Sequence, residues 1–286
     1  MMTYMGNNQV SSEELKRRII NRWDEASKYY DYDRFTDEDI NSKVRDAWKE
    51  FFNKELGSER LKILDVGTGT GFLSILLAEM GHEVVGIDLS EMMISLCSKK
   101  AQEKDLQLDL RIGDAESIPF KNECFDVVVS RWVLWTVLHP ETAIADWRRV
   151  LKPGGRAYAF DTPSVERETN TIDKYFRPNL AKLVISIYER RNAWSEYYDK
   201  VIRSRLPLNY DKRGSFDRQM KLFVDCGFMD VAAAKMDEAS ALSAEKWRRM
   251  PWRYRLGWTC NYEWYCIRGS KAIEPQEKDN HHFGEN

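Results

Sequence analysis

The chain is poor in the features that would mark it for metal binding, disulfide framing or electrostatic capture. Its 286 residues hold five cysteines (Cys97, Cys124, Cys226, Cys260 and Cys266), an odd number, with no Cys-x-x-Cys pair and no ligand spacing shared with the four histidines. That pattern argues against a disulfide frame or a structural zinc site and suits a reducing, cytoplasmic setting. No metal ligand set is expected. Lys plus Arg number 44 against 46 Asp plus Glu, so no net field draws in polyanions. No apolar core follows a basic start and no run of 18 apolar residues occurs, which supports neither secretion nor a membrane span. No internal repeat is present. The polar stretch Glu274–Asn286 reads as a disordered tail.

What is there is a strand–helix alternation behind a helical start. Ser11 and Glu14 form a Ser-x-x-Glu capping box ahead of Leu15, Ile19, Trp23, Ala26 and Tyr30, spaced as one face of a helix. A second helix is expected from about Asp37, with Ile40, Val44, Trp48, Phe51 and Leu56 inward and Gly57 as its stop. Strands are then expected at 61–66, 83–88, 106–112, 125–130 and 156–161, separated by helices at 72–80, from Ser90 and at 141–151. Lys152-Pro153-Gly154-Gly155 makes a turn before the fifth strand. Such alternation means a parallel sheet covered on both faces. A helical stretch at about 171–206, with Leu180, Leu183, Val184, Ile187 and Tyr188 on one face, interrupts it. The alternation resumes with a helix at 216–225 and strands at 228–234 and 261–268. The expected organisation is a helical cap (1–58), a core (59–164), an insertion over the carboxyl edge of the sheet (165–215), the C-terminal part of the sheet (216–270) and the tail (271–286).

The chemistry centres on Leu64-Asp65-Val66-Gly67-Thr68-Gly69-Thr70-Gly71. A strand, a glycine turn and a helix start present backbone N–H groups and a positive helix end to a ligand. The dinucleotide fingerprint Gly-x-Gly-x-x-Gly is one residue longer than the spacing here, and no Lys-Ser or Lys-Thr follows, so neither that motif nor a phosphate loop is present. Asp65 before the turn would repel a pyrophosphate and favour a cationic or amino-bearing ligand.

With these features the chain resembles the class I S-adenosylmethionine-dependent methyltransferases, in particular the branch typified by ubiquinone/menaquinone-biosynthesis enzymes. "LDVGTGTG", "VVGIDLS", "GDAESIPF" and "FDVVVSRWVL" followed by "RRVLKPGGRAYAFD" are similar to the family's motifs in order and spacing. The resemblance implies a Rossmann-like, doubly wound, mostly parallel seven-stranded α/β sheet, with the final strand, including Tyr262 to Arg268, antiparallel between its neighbours. It implies S-adenosylmethionine as cofactor, with Gly67, Thr68, Gly69 and Gly71 around its methionine part and Asp65 toward its ammonium. Asp88 would take the ribose, Asp114 the adenine amino group, and Ala115, Glu116, Leu89, Met93 and Ile118 would surround the ring. Ser130 and Trp132 complete the cofactor set, and Tyr29 and Tyr30 resemble the family's tyrosine that closes over it. Tyr30, His139 and Asp161 are the candidate catalytic residues, while Trp132, Trp135, Asp161 and the insertion are candidate acceptor-pocket parts.

The methyl acceptor is read as a small molecule, with no membrane partner. After the fourth strand the chain reads Ser130-Arg131-Trp132-Val133, without the Asn-Pro-Pro-Tyr or Asp-Pro-Pro-Tyr of related enzymes that grip amino groups of bases or glutamine. The competing reading is a nucleic-acid or protein methyltransferase using the basic aromatic stretch "KWRRMPWRYR" (246–255), since cations mixed with aromatics can track a backbone and stack bases. The alternative for that stretch is a loop whose arginines lie over neighbouring rings or pair with the chain's own acids.

Overall fold

The computed structural model describes residues 10–28, 37–162, 176–190, 206–208, 215–256 and 263–273. Tyr29, Tyr30, Cys260, the proposed tail from Glu274 onward and most of the proposed insertion lie outside the described residues.

Two helices open the chain. Helix α1 (Ser12–Ser27) starts where the Ser11 hydroxyl accepts the Glu14 N–H, and it buries Leu15, Ile19 and Ala26. Helix α2 (Glu38–Leu56) starts on Asp37, whose carboxylate accepts the Ile40 N–H, and ends at Gly57. It buries Ile40, Val44, Trp48, Phe52 and Leu56. Phe52 rather than Phe51 is the deeply buried member of that pair.

The core then alternates through β1 (Lys62–Val66), α3 (Phe72–Glu79), β2 (Glu83–Asp88), α4 (Glu91–Gln102), β3 (Asp109–Ile112), β4 (Phe125–Arg131), α5 (Pro140–Val150) and β5 (Leu151–Asp161). It continues through α6 (Arg177–Glu189), α7 (Ser215–Asp225), β6 (Met229–Lys235), α8 (Asp237–Arg249), α9 (Trp252–Arg255) and β7 (Tyr265–Ser270). The seven strands lie in the order β3-β2-β1-β4-β5-β7-β6. The first five are mutually parallel, and β7 runs antiparallel between β5 and β6, pairing Asp161 with Tyr265 and Arg156 with Ser270. Among the described residues no helix is long and apolar enough to cross a membrane.

Strand periodicity divides the core into two layers. Leu64, Val66 and Val128 face one layer with Ile144 and Trp147 of α5 and Phe223 of α7. Ile63, Val127, Val129, Tyr158 and Phe160 face the other, with Trp48 and Phe52 of α2 and Leu73 and Leu76 of α3. Asp65 shares a face with Ile63, which places it under α3 within reach of the Ser74 hydroxyl.

Several expectations are corrected. β5 begins at Leu151, paired with Phe125, and Lys152–Gly155 bulge out before pairing resumes at Arg156 with Val127. β3 begins at Asp109 and β7 at Tyr265, each a few residues later than its alternation suggests. The expected apolar face of α6 is rotated: Ala181, Lys182 and Ile185 are buried, whereas Leu183, Ile187 and Tyr188 are exposed, because Ile185 packs on Met250 and Tyr254. The stretch 246–255 is not a loop. It is the end of α8 followed by the short helix α9, a connection between β6 and β7 that the sequence reading leaves without an element.

Candidate active site

The turn between β1 and α3 is tied to the end of β2. The N–H groups of Gly67 and Thr68 both donate to the Ile87 carbonyl, at 2.8 and 2.9 Å, and the Gly69 N–H donates to Asp88 Oδ2 at 2.9 Å. Ser90 donates its N–H to Asp88 Oδ1 at 2.9 Å. One carboxylate therefore braces the turn while leaving a lone pair on each oxygen for a ligand. Two glycines are needed for different reasons. A Cβ on Gly67 (φ 70°) would stand 2.2 Å from a methyl of Val133; a Cβ on Gly69 (φ 54°) would meet no atom within 4 Å. Gly67 is a packing glycine. Gly69 faces open space, so its backbone is bare toward whatever binds there.

A cavity that opens to solvent lies over this turn. It gathers Asp65, Gly67, Thr68, Gly69, Asp88, Leu89, Met93, Asp114, Ala115, Glu116 and Trp132, residues that the sequence reading places around one ligand. Asp65 is almost wholly buried. Burial pushes its carboxyl up to about 6, against the opposing pull of the Ser74 and Thr68 hydroxyls. Ser74 Oγ donates to Asp65 Oδ2 at 2.8 Å and lies 2.8 Å from Thr68 Oγ1. Asp88 is also pushed upward by burial, with the Ser90 and Gly69 N–H groups opposing the shift.

Other expected residues lie elsewhere. Gly71 lines a neighbouring cavity, and a Cβ there would sit 2.5 Å from Cys97 Sγ. Ser130 is buried and donates its hydroxyl to the Val66 carbonyl at 3.0 Å, under the turn. Ile118 is buried in the core layer beside α5. His139 lines neither cavity: it occupies the N-cap of α5, is half exposed, and its Nδ1 lies 3.7 Å from Glu141. Asp161 lines neither; its oxygens accept the Thr162 N–H and the Gln219 amide at 2.8 and 2.9 Å, a buried link between β5 and α7. Trp135 packs edge-on against Trp23 of α1, with ring centroids 6.4 Å apart.

The cavity also holds residues that sequence reasoning missed. Lys16, Ile19 and Trp23 of α1 form one wall. Lys16 Nζ lies 2.6 Å from Asp114 and 2.7 Å from Glu116. Burial disfavours its charge, but the two carboxylates prevail and hold its pKa above the ordinary lysine value. Glu116 in turn accepts the N–H groups of Leu138 and His139 at 2.8 and 3.1 Å. α1 is fastened a second time where the Ser90 hydroxyl donates to Asp24 at 2.5 Å. No local signal announces Lys16, which stands 98 residues from Asp114. Arg131, at the end of β4, was also missed; its guanidinium lies over Phe72, 4.1 Å from the ring centroid. Among the described residues no cluster of three or more His, Cys, Asp or Glu could hold a metal ion.

The basic aromatic stretch is engaged with the chain itself. Arg249 pairs with Asp37 at 3.1 Å and with Glu245, and Arg253 pairs with Glu189 at 3.0 Å while lying over Tyr254.

Residues 64–159 match the family described as a methyltransferase domain. Over 146 residues the chain is 34% identical to a ubiquinone biosynthesis O-methyltransferase of Maricaulis maris, covering 50% of this chain and 57% of the relative. Over 167 residues it is 28% identical to a ubiquinone/menaquinone biosynthesis C-methyltransferase of Burkholderia vietnamiensis, covering 57% and 68%. The chain thus spans little more than half the length of the first of these relatives. Among solved structures, a Haemonchus contortus phosphoethanolamine N-methyltransferase has a similar fold, with a TM-score of 0.56 and 18% identity over 79% of this chain and 53% of that one. The segment 64–159 thus matches a methyltransferase-domain family and lies in a Rossmann-like, mostly parallel seven-stranded sheet.

Proposed function

We propose that the chain transfers a methyl group from S-adenosylmethionine to a small-molecule acceptor by in-line displacement. The observation that carries this reading is the convergence of Asp65, Asp88 and Asp114 on one cavity above a glycine turn whose Gly69 presents bare backbone. That cavity fits the cofactor: Asp88 would hold the ribose hydroxyls, Asp114 the adenine amino group and Asp65 the ammonium, with Leu89, Met93 and Ala115 against the ring. When bound, S-adenosylmethionine supplies a methyl group already activated on a sulfonium. The protein's task is to hold a nucleophile in line and keep water out. Ile19 and Trp23 of α1 and Val133, Val137 and Leu138 beyond β4 give the cavity its apolar walls. The two relatives named above are an O- and a C-methyltransferase. A cytoplasmic location and a small acceptor remain the reading, and the pairing of Arg249 and Arg253 with acids speaks against a nucleic-acid track.

Calorimetry tests the assignment. The full chain should bind S-adenosylhomocysteine and bind NAD far more weakly. Asp88→Ala should lower the first affinity at least about tenfold, because charge-assisted bonds contribute about 1.5–3 kcal/mol each. Unchanged affinity would remove Asp88 from the site, and methylation of RNA by the wild type would overturn the small-molecule reading.

A further inference from the structure

One face of α1 meets the cavity above the glycine turn. Lys16, Ile19 and Trp23, spaced three and four residues apart, fall on one side of the helix, and all three line that cavity. Ile19 and Trp23 give it an apolar wall. Lys16 brings a cation to the end where Asp114, the proposed acceptor of the adenine amino group, also lies.

The hydrogen-bonding capacity left at that end differs among the three charged groups. Glu116 is nearly used up. Its Oε1 accepts the Leu138 and His139 N–H groups at 2.8 and 3.1 Å, its Oε2 lies 2.7 Å from Lys16 Nζ, and its side chain is only 7% exposed. Asp114 accepts the Glu116 N–H on Oδ1 at 2.9 Å and the Lys16 ammonium on Oδ2 at 2.6 Å. A carboxylate has about four lone-pair sites, so it keeps room for another donor. An ammonium carries three N–H donors. Two of those on Lys16 go to these carboxylates, at 2.6 and 2.7 Å, which leaves one. The Asp114 and Lys16 side chains are 23% and 27% exposed, far more open to the cavity than Glu116.

A ligand that pushed Lys16 aside would strand Glu116, buried, without its cation, which is costly. At its other end α1 is fastened where the Ser90 hydroxyl donates to Asp24. The ammonium therefore stays, and the ligand binds beside it. What it meets there is one acceptor next to one donor. An adenine ring carries the complementary pair: its amino group donates, and the ring nitrogens that flank it, N1 and N7, accept.

Building on the methyl-transfer reading, we infer that Lys16 is a specificity residue for the cofactor: it donates to a ring nitrogen beside the amino group that Asp114 accepts. Glu116 is the buried anchor that positions the ammonium. This takes Glu116 out of contact with the adenine ring, where the sequence reading put it, and puts Lys16 in its place.

The test measures binding to the full chain by calorimetry, using S-adenosylhomocysteine and its 1-deaza and 7-deaza analogues, each with one ring nitrogen replaced by CH. At least one analogue should bind the wild type about tenfold or more weakly than the parent compound, the loss expected of one charge-assisted contact. In Lys16→Met that penalty should fall to about threefold or less for one analogue, and which analogue it is identifies the nitrogen. Circular dichroism confirms folding, and Lys16→Ala makes the same comparison if the Met variant does not fold. A lysine that only tethers α1 would lower the affinity for all three compounds by one common factor and leave their ratios at the wild-type values. That result, or a wild type that binds all three equally, overturns the inference and leaves the methyl-transfer reading intact. A wild type that does not bind S-adenosylhomocysteine overturns that reading and this one with it.

Discussion

Two neighbouring cavities that meet at Arg131 and Trp132 are built in different ways. The first is lined by four carboxylates, those of Asp65, Asp88, Asp114 and Glu116, against Lys16 and Arg131. It is made chiefly from turns at the carboxyl ends of neighbouring strands, with α1 laid across them. The second takes Arg45 and Trp48 from α2, Lys100 from α4 and Lys246 and Trp247 from α8, together with Arg131, Trp132 and Trp264 at or beside the ends of β4 and β7.

The most disruptive way to break the acidic cavity is Gly67→Ala. The new Cβ would collide with Val133, and the residue would be held at φ 70°. Strain and overpacking each cost about 1–3 kcal/mol, so urea unfolding should show a loss of several kcal/mol, at least about 2, together with loss of S-adenosylhomocysteine binding. Adding Val133→Ala should recover part of the stability by removing the collision. A stable single variant would mean that the turn is looser than its geometry indicates.

Asp65→Asn removes one charge from that cavity. Because burial raises the Asp65 carboxyl from 3.8 to about 6, the wild-type fold is penalised for ionising it. The penalty is absent below the unfolded-state value near 3.8, grows as pH rises toward about 6, and is complete above that. The amide substitution should therefore stabilise the protein above about pH 6 by on the order of 2–3 kcal/mol. The gain should fade to nothing as pH drops to about 4, and ligand affinity should fall. Thermal melts across roughly pH 4–8 check this; a gain independent of pH would mean that Asp65 is ionised without penalty.

Lys16→Met tests the cation that tethers α1 to the acidic rim. A partly exposed pair contributes about 1 kcal/mol or less, so stability should drop only slightly. Hydrogen exchange in α1 should speed up while β1 and β2 stay protected. Uniform exchange across both regions would show that α1 is not held by this pair.

Changing Arg248, Arg249 and Arg253 to Gln should have the smallest effect on binding. If the acceptor is small and the stretch 246–255 pairs with the chain's own acids, RNA affinity should stay near baseline with no change in its salt slope. A slope that flattens by about one per arginine would instead mean phosphate contacts.

Much of the first cavity was legible because its parts are local. A glycine turn is forced by backbone geometry, a strand-end acid follows from period two, and both survive any rearrangement of distant elements. Asp65, Asp88 and Asp114 converge because consecutive parallel strands end on one rim. His139 and Asp161 stand at the rim but line neither cavity, for a related reason: position at the rim is readable, but the direction of a side chain is not. His139 turns outward at a helix start, and Asp161 turns into the seam with Gln219.

By itself the sequence determined the alternation, the order of the strand-end acids, the glycine turn and the caps at Ser11, Asp37 and Ser90, all set by neighbours within a few residues. Only the tertiary structure decided that Lys16 reaches Asp114, that α8 closes against α2, and that Arg131 sits among Phe72, Trp132 and Trp264. Those contacts join residues far apart in the chain, so their positions depend on how whole layers pack. A hydrophobic stripe tells a helix to bury a face. It does not tell it against what.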